Sequence, residues 1–192
     1  MTELFLVRHA HAVWTTDEMR PLSVQGHRQA RAIADALEDL RPRAIYSSPY
    51  TRARQSVEPL AARLGLPIAE MADLRERQLS SGKVDDFQGA VRTTWDDLDF
   101  AHEGGEPNRD ARSRVRAACE TILDRHAGDR VVVATHGTLL ALLLNSFDPC
   151  IGFEFWTRVS EPDIHLLSVG PNPGEFAIRR IWKDVHARIN AS

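Results

Sequence analysis

The chain has 192 residues, which is enough for one α/β domain with a substantial core and too few for two full-sized domains. Its 24 basic and 27 acidic residues give a formal net charge of -3, which favours neither nucleic acid nor an anionic membrane as a partner. The two cysteines lack metal-type or redox-type spacing, and the longest apolar run, Leu139 to Leu144, is far below the roughly 20 residues of a membrane span. No signal-like segment opens the sequence, so we expect a soluble cytoplasmic protein, with its oligomeric state left open.

Strands and helices alternate in the first third of the chain. The continuous apolar run from Leu4 to Val7 is typical of a strand that is covered on both faces. Ser23 is a predicted N-cap for a helix over residues 26–40, where apolar residues recur at helical spacing. A short strand is predicted over residues 44–46, and a helix that opens with Ser-Ser-Pro is predicted over residues 47–64.

The rest of the chain combines an irregular segment with regular elements. Residues 73–107 have weak periodicity, which predicts loops with a short helix around residues 91–98. We expect a lid-like insertion around residues 76–107, within a single domain that spans residues 1–192. The later predicted elements are helices over 108–126 and 138–145 and strands over 131–135, 164–169 and 176–182.

This order of elements predicts a three-layer α/β/α fold with a mostly parallel central sheet. Ligands of such sheets bind outside the carboxyl ends of the strands. His9, the Ser47-Ser48 pair and His136 each stand at a predicted carboxyl end. We therefore expect these side chains to meet at one edge of the sheet.

The residues of this edge include two histidines and several arginines, among them Arg52 and Arg54. They come from four stretches: LVRHAHA (6–12), SSPYTRARQS (47–56), DLRE (73–76) and ATHGTLL (134–140). Cations that are crowded together repel one another unless an anion lies among them. A phosphoryl group fits this place, because guanidinium groups match its oxygens and the helix N-termini after Pro49 and Gly137 would offer backbone N–H groups.

The same residues suggest a reaction. A neutral imidazole can attack phosphorus and divide a hydrolysis into two steps through a phosphohistidine. Neighbouring guanidinium charges disfavour protonation of His9, which keeps its attacking nitrogen free. A carboxylic acid must then protonate the departing alkoxide, and the resulting carboxylate can activate water. Glu76 is our candidate for this group, with Glu106 or Asp73 as substitutes if Glu76 points away.

These stretches resemble the motifs of the histidine phosphatase superfamily, also called phosphoglycerate mutase-like, and they occur in the family's order. The matching segments are Val7-Arg8-His9-Ala10, Leu22 to Gly26, Ser47 to Ser56, Leu74-Arg75-Glu76, Gly104-Gly105-Glu106 and Thr135-His136-Gly137. Ala10 replaces the family's usual glycine, which is tolerated if the backbone there has a negative φ. Ala12 and Thr15 stand where the mutases carry a serine and an asparagine, so the broad-specificity phosphatase branch is the better match.

The resemblance implies a phosphatase of the histidine acid phosphatase type that uses no metal and no organic cofactor. It implies that His9 is the phosphorylated nucleophile and Glu76 the proton donor, while Arg8, Arg52 and His136 form the phosphate pocket. We also expect the substrate to contact four further residues, Gly137, His11, Thr15 and Glu106. The expected substrate is a phosphorylated small molecule, ahead of a phosphoprotein.

Three other functions stay open at this point. A phosphoglycerate mutase would also carry phosphate on His9 but would transfer it to a second hydroxyl, with a bisphosphoglycerate primer. His9 and His11 could instead form a metal pair, although no His-x-Asp-His continuation follows them. A degenerate member of the superfamily would bind phosphorylated partners without turnover.

Overall fold

The fold is built on one mixed sheet, which a computed structural model describes together with its helices for residues 1–15, 17 and 19–182. Within these residues the strands are Thr2–Arg8 (β1), Ala44–Ser47 (β2), Ile68–Glu70 (β3), Arg130–Thr135 (β4), Asp163–Val169 (β5) and Phe176–Arg180 (β6). Their order across the sheet is β3-β2-β4-β1-β5-β6. The pairs from β3 to β1 are parallel, and β5 is antiparallel to both β1 and β6. The predicted α/β class and mostly parallel sheet are confirmed.

Helices cover both faces of this sheet. They are Val24–Leu37 (α1), Thr51–Leu64 (α2), Phe87–Asp96 (α3), Asn108–Arg125 (α4), Gly137–Asn145 (α5) and Phe153–Trp156 (α6). One core cluster joins α1 and α2 to the sheet, and the other joins α4 and α5 to its opposite face. None of the helices in the described part of the chain is long and apolar enough to cross a membrane.

Strand β1 shows why residues 4–7 form an unbroken apolar run. Phe5 and Val7 pack into the cluster with α1 and α2, whereas Leu4 and Leu6 pack into the cluster with α4 and α5. Successive side chains of a strand point to opposite faces, so a strand between two helical layers needs apolar residues at every position. The predicted buried strand is thus confirmed, and it lies beside β4 and β5 inside the sheet.

Several predicted boundaries shift in the structure. Helix α2 begins at Thr51, because β2 continues through Ser47 and the Ser48 Oγ then accepts a hydrogen bond from the Tyr50 N–H at 3.2 Å. Strand β3 and helix α6 were not predicted, since segments of three and four residues are too short to show a hydrophobic period. The predicted N-cap at Ser23 is confirmed by its Oγ, which accepts from the Gly26 N–H at 3.0 Å.

The carboxyl ends of three adjacent strands bring the predicted residues together. Strands β2, β4 and β1 are neighbours, so the residues that follow them leave the sheet at the same edge. The His9 N–H donates to the Thr135 carbonyl at 3.0 Å, and the Ser48 N–H donates to the Ala134 carbonyl at 2.9 Å. These bonds hold the first turns after β1 and β2 against β4. Residues 183–192 of the predicted domain lie outside the described residues.

Candidate active site

A cavity of about 540 Å³ opens at this edge of the sheet. Its wall includes His9, which follows β1, and Arg52 from the first turn of α2. Further wall residues come from the loop before α1, from the loop before α3 and from the loop before β5. The cavity is therefore assembled from segments that are distant in sequence and meet only through the order of the strands.

His9 is held in one tautomer. Its Nδ1 lies 2.8 Å from the Ala10 carbonyl oxygen, and its side chain is buried, with 6% exposed. A carbonyl only accepts, so Nδ1 carries the proton. The Arg52 Nε–H donates to the other ring nitrogen, Nε2, at 3.2 Å. Nε2 therefore keeps its lone pair, which is what a nucleophilic nitrogen requires.

The surroundings of His9 also keep it neutral. Burial lowers the pKa of His9 well below its usual value, and the charges of Arg52 and Arg8 lower it further, against the opposing hydrogen bond to Ala10. A protonated imidazole would have no lone pair to offer. The lowered pKa means that the His9 ring stays neutral at neutral pH, with one proton, on Nδ1.

Arg52 is almost fully buried, with 3% exposed, and its Cζ lies 4.8 Å from the centre of the Tyr50 ring. Burial lowers the pKa of Arg52 to about 10, with Arg20 as a further lowering charge and Glu76 as the largest opposing one. The guanidinium remains charged at neutral pH. It lies beside the His9 Nε2, where a bound anion could contact the guanidinium.

His136 lies behind His9 and is fully buried. Their ring centres are 5.2 Å apart in an edge-to-face arrangement. The His136 Nε2 is 2.8 Å from the Ser48 Oγ, while its Nδ1 is buried without a hydrogen-bond partner among the described residues. The pKa of His136 lies well below its usual value, chiefly because the ring is buried and further because of its electrostatic interactions with His9 and Arg52. A neutral His136 that accepts from Ser48 has its Nδ1–H free to donate to a ligand.

Arg8 lies over the start of α5. Its Nη1 donates to the Val159 carbonyl at 2.7 Å, whereas its Nε is buried and has no partner within the described residues. A Cβ on Gly137 would lie 3.1 Å from the Arg8 Nε and Cζ. Glycine at position 137 therefore leaves the space that this guanidinium occupies.

Glu76 points into the cavity and caps α5. Its Oε1 accepts from the Leu139 N–H at 3.1 Å and from the Arg77 N–H at 2.9 Å, and its Oε2 accepts from the Thr138 N–H at 3.2 Å. Sequence reasoning expected these helical N–H groups to bind phosphate. A carboxylate is equally suited to a helix N-terminus, and here it takes that place.

Glu106 does not line this cavity and is connected to it through Arg114. Its carboxylate pairs with Arg114 in a two-bond contact of 2.7 and 2.8 Å. The Arg114 Nη1 also donates to the carbonyls of Asp73 and Arg75. Glu106 therefore acts through Arg114 on the backbone that precedes Glu76, and Asp73 contributes its carbonyl to the same contact.

His11 and Thr15 lie at the exposed side of the site. The His11 Nδ1 is 2.8 Å from the Ser23 Oγ, and its ring forms part of the cavity wall. Thr15 is exposed and does not line the cavity; its Oγ1 accepts from the Asp17 N–H at 3.2 Å. His9 and His11 thus engage different partners, and no cluster of three or more potential metal ligands occurs among the described residues.

Three charged residues of the wall escaped sequence reasoning: Arg20, Arg77 and Glu161. Arg77 could have been predicted, because it directly follows Glu76 in the sequence. The sequence around Arg20 and Glu161 contains no pattern that indicates this edge of the sheet. Arg54 was expected at the edge but pairs instead with Glu58 and Glu70, both at 3.4 Å, on the outer side of α2.

The geometry agrees with comparisons to known proteins. The family model described as histidine phosphatase superfamily (branch 1) matches residues 4–184. The chain belongs to this superfamily. The resemblance found in the motifs is therefore confirmed. A metal-independent phosphoserine phosphatase of Arabidopsis thaliana is 32% identical over 73% of the chain and 66% of its own length. The probable phosphoglycerate mutase GpmB of Escherichia coli is 27% identical over 82% of the chain and 79% of its own length.

Solved structures of other proteins share the fold. Bacillus stearothermophilus YhfR superposes with a TM-score of 0.75 at 25% identity, over 94% of this chain and 96% of that one. A mycobacterial glucosyl-3-phosphoglycerate phosphatase in complex with VO3 gives a TM-score of 0.76 at 24% identity, over 93% and 96% of the two chains. The predicted phosphoglycerate mutase-like fold is confirmed.

We predict that His9 is a neutral Nδ1–H tautomer at pH 6.5, where an ordinary histidine is half protonated, because burial lowers the pKa of His9 well below that value. Long-range ¹H–¹⁵N correlation spectra, with the His9 signals identified by their loss in His9→Ala, measure both the tautomer and the titration. A ring that is protonated with an ordinary pKa, or that carries its proton on Nε2, would contradict the geometry.

Proposed function

We propose that this chain is a metal-independent phosphomonoester hydrolase that works through a phosphohistidine on His9. The observation that carries this proposal is the Nδ1 bond to the Ala10 carbonyl, which leaves a neutral imidazole with its Nε2 lone pair beside the Arg52 guanidinium. Membership of the histidine phosphatase superfamily supports the same chemistry.

The proposed phosphate pocket is formed by Arg8, Arg52 and His136. Two buried nitrogens, the Arg8 Nε and the His136 Nδ1, have no hydrogen-bond partner among the described residues. A buried polar group without a partner costs stability, and a bound phosphoryl oxygen would satisfy both nitrogens. Gly137 serves this pocket by leaving room for the Arg8 side chain.

The proposed reaction has two steps. The His9 Nε2 lone pair forms a bond to phosphorus while the bond from phosphorus to the ester oxygen breaks, and the carboxyl group of Glu76 gives its proton to the departing alkoxide. Water then attacks phosphorus, Glu76 takes a proton from it, and the electron pair of the N–P bond returns to Nε2. The products are an alcohol and inorganic phosphate.

The leaving group would face the segment of residues 76–107, which we propose as a lid-like wall of a single domain. Residues 76–79 line the cavity together with Phe87 and Val91 of α3. His11 and the exposed Trp14 lie across the opening. This mixture of apolar and polar groups suits a small organic leaving group.

Arg77 suggests that the substrate carries a second anionic group. Arg77 is 4% exposed, and its Nε and Nη1 have no hydrogen-bond partner in the described part of the chain. Burial lowers its pKa, with Glu76 and Glu106 as opposing charges. The Arg77 guanidinium forms no ion pair within 4.0 Å with a carboxylate of a described residue. A buried charge without a directly bonded partner is costly, and an anionic group of the substrate would compensate it. The names of the relatives include a phosphoserine phosphatase and a probable phosphoglycerate mutase.

We predict that the purified protein releases phosphate from phosphomonoesters in the presence of a chelator and that His9→Ala lowers the rate by at least about a thousandfold, because no other group replaces the nucleophile. Phosphate release is measured with His27→Ala as the matched control, since His27 is an exposed residue of α1. Acid-labile label on the wild type, absent from His9→Ala, identifies the phosphohistidine.

Two results would reject the hydrolase proposal. Turnover that requires a bisphosphoglycerate primer would indicate a mutase, and ligand binding without turnover would indicate a phosphate-binding protein. Equal activity of the wild type and His9→Ala would reject the phosphohistidine itself.

We predict that Glu76→Gln slows hydrolysis of alkyl phosphates by about 10²-fold to 10⁴-fold, as expected for loss of a general acid. Dinitrophenyl phosphate, whose leaving group needs no proton, should form the phosphoenzyme at nearly the wild-type rate. Glutamine keeps one oxygen that can accept from the Leu139 N–H, so one of the two bonds from Glu76 to the start of α5 is retained. Equal slowing of phosphoenzyme formation from both substrates would refute the role as proton donor.

We predict that Arg77→Met raises KM for carboxylate-bearing phosphomonoesters by roughly tenfold or more, the value of one charged hydrogen bond, and leaves KM for p-nitrophenyl phosphate unchanged. It should also raise the melting temperature, because an uncompensated buried charge is removed. The control is Arg75→Met, at a more exposed arginine that pairs with Asp73 at 3.7 Å. The same KM change for both substrate types would show that Arg77 binds no second anion.

A further inference from the structure

We propose that Glu161 is a positioning residue for the nucleophile, an inference that rests on the proposed phosphohistidine chemistry. The Glu161 Oε1 lies 3.2 Å from the His9 Nδ1, and its Oε2 lies 3.9 Å from the Arg8 Nη2. The His9 Nδ1–H is hydrogen-bonded to the Ala10 carbonyl at 2.8 Å, and the Glu161 carboxylate lies beside the same nitrogen as a close negative charge. No motif of the sequence assigned a function to this residue.

A carboxylate at this position is unexpected on electrostatic grounds. The cavity wall carries Arg8, Arg52 and Arg20, which suit an anionic ligand, and Glu161 lines the same cavity. A negative charge there repels a phosphate dianion and weakens substrate binding. Glu161 therefore needs a function that outweighs this cost.

The structure holds the Glu161 backbone firmly. The Ser160 N–H donates to the buried Asp163 Oδ2 at 2.9 Å, and Arg180 donates to both Asp163 and the Ser160 Oγ. The Gln29 Nε2 lies 3.4 Å from the Glu161 carbonyl oxygen. Strands β5 and β6 and helix α1 thus fix the turn from several sides, and the Glu161 side chain is directed from it to His9.

The proposed function of Glu161 follows the charge that moves during the reaction. When the Nε2 electron pair forms the bond to phosphorus, the imidazole ring gains positive charge and Nδ1 keeps its proton. The nearby negative charge of Glu161 attracts the ring once it is positive, and this attraction is largely absent while the ring is neutral. Glu161 would stabilise the transition state more than the resting enzyme, which is how a group accelerates a step.

Rapid-quench measurement of phosphoenzyme formation tests this inference with the variant Glu161→Gln. We expect the phosphorylation rate to fall by roughly tenfold, the effect of losing one close negative charge beside the ring, for good and poor leaving groups alike. We also expect inorganic phosphate to inhibit more strongly, because a repelling charge is gone. A loosened pocket would instead slow phosphorylation and weaken phosphate binding together. Glu120→Gln removes the same charge on the far helix α4 and serves as the control.

The outcomes separate the two proposals. If the wild type forms no phosphoenzyme, the hydrolase mechanism fails, and the inference about Glu161 falls with it. If the wild type is labelled and Glu161→Gln is labelled within twofold of the same rate, or loses both rate and phosphate affinity, the inference about Glu161 alone is overturned. The resting contact has its own readout, since the His9 Nδ1 proton resonance should shift in Glu161→Gln, which removes the adjacent charge, and stay in place in Glu120→Gln.

Discussion

The hydrogen bond from the His9 Nδ1 to the Ala10 carbonyl is the interaction on which the site depends. It selects the tautomer, and the tautomer decides which nitrogen can attack. The bond requires a fixed backbone at Ala10, and Ser56 supplies it: the Ser56 Oγ accepts from the Ala10 N–H at 2.8 Å and lies 2.6 Å from the Arg52 carbonyl. One serine of α2 therefore couples His9, the proposed nucleophile, to the helix that carries Arg52, the principal arginine of the proposed phosphate pocket. Ala10 replaces glycine at no conformational cost, because among the described non-glycine residues a positive φ occurs at Arg41 and not at Ala10.

The stability of the fold allows the site to contain buried polar and charged groups that lower the free energy of unfolding. Arg52, Arg77 and His136 are buried, and their lowered pKa values show that burial disfavours their charged forms. Buried groups of this kind cost stability, a cost that proteins accept at functional sites. The compensation comes from the central strands, where side chains on both faces are covered by helices and contribute apolar burial. The site lies at the carboxyl edge of the sheet, beyond this core. Stability and the requirements of the site are therefore met by different residues.

Sequence reasoning succeeded where a residue's place follows from a strand end. His9, Ser48 and His136 each follow a buried strand, and the parallel order of β2, β4 and β1 brings them to one edge. Prediction from the sequence failed for a residue whose position depends on a long loop. Glu161 reaches His9 only because β5 runs antiparallel beside β1, so that its start meets the end of β1. Expectation and structure also differ for Arg54, which lies two positions from Arg52 in a helix and thus faces another direction.

The position of Glu76 joins the helix dipole to the proposed chemistry. The N-terminus of α5 was expected to hold phosphate, but its N–H groups at Thr138 and Leu139 are taken by the Glu76 carboxylate. Phosphate binding in the proposed mechanism therefore relies on guanidinium groups and His136, while the helix orients the acid. The Thr138 and Leu139 N–H groups thereby hold the Glu76 carboxyl group on the wall of the cavity, where the proposed mechanism requires a proton transfer to the departing alkoxide.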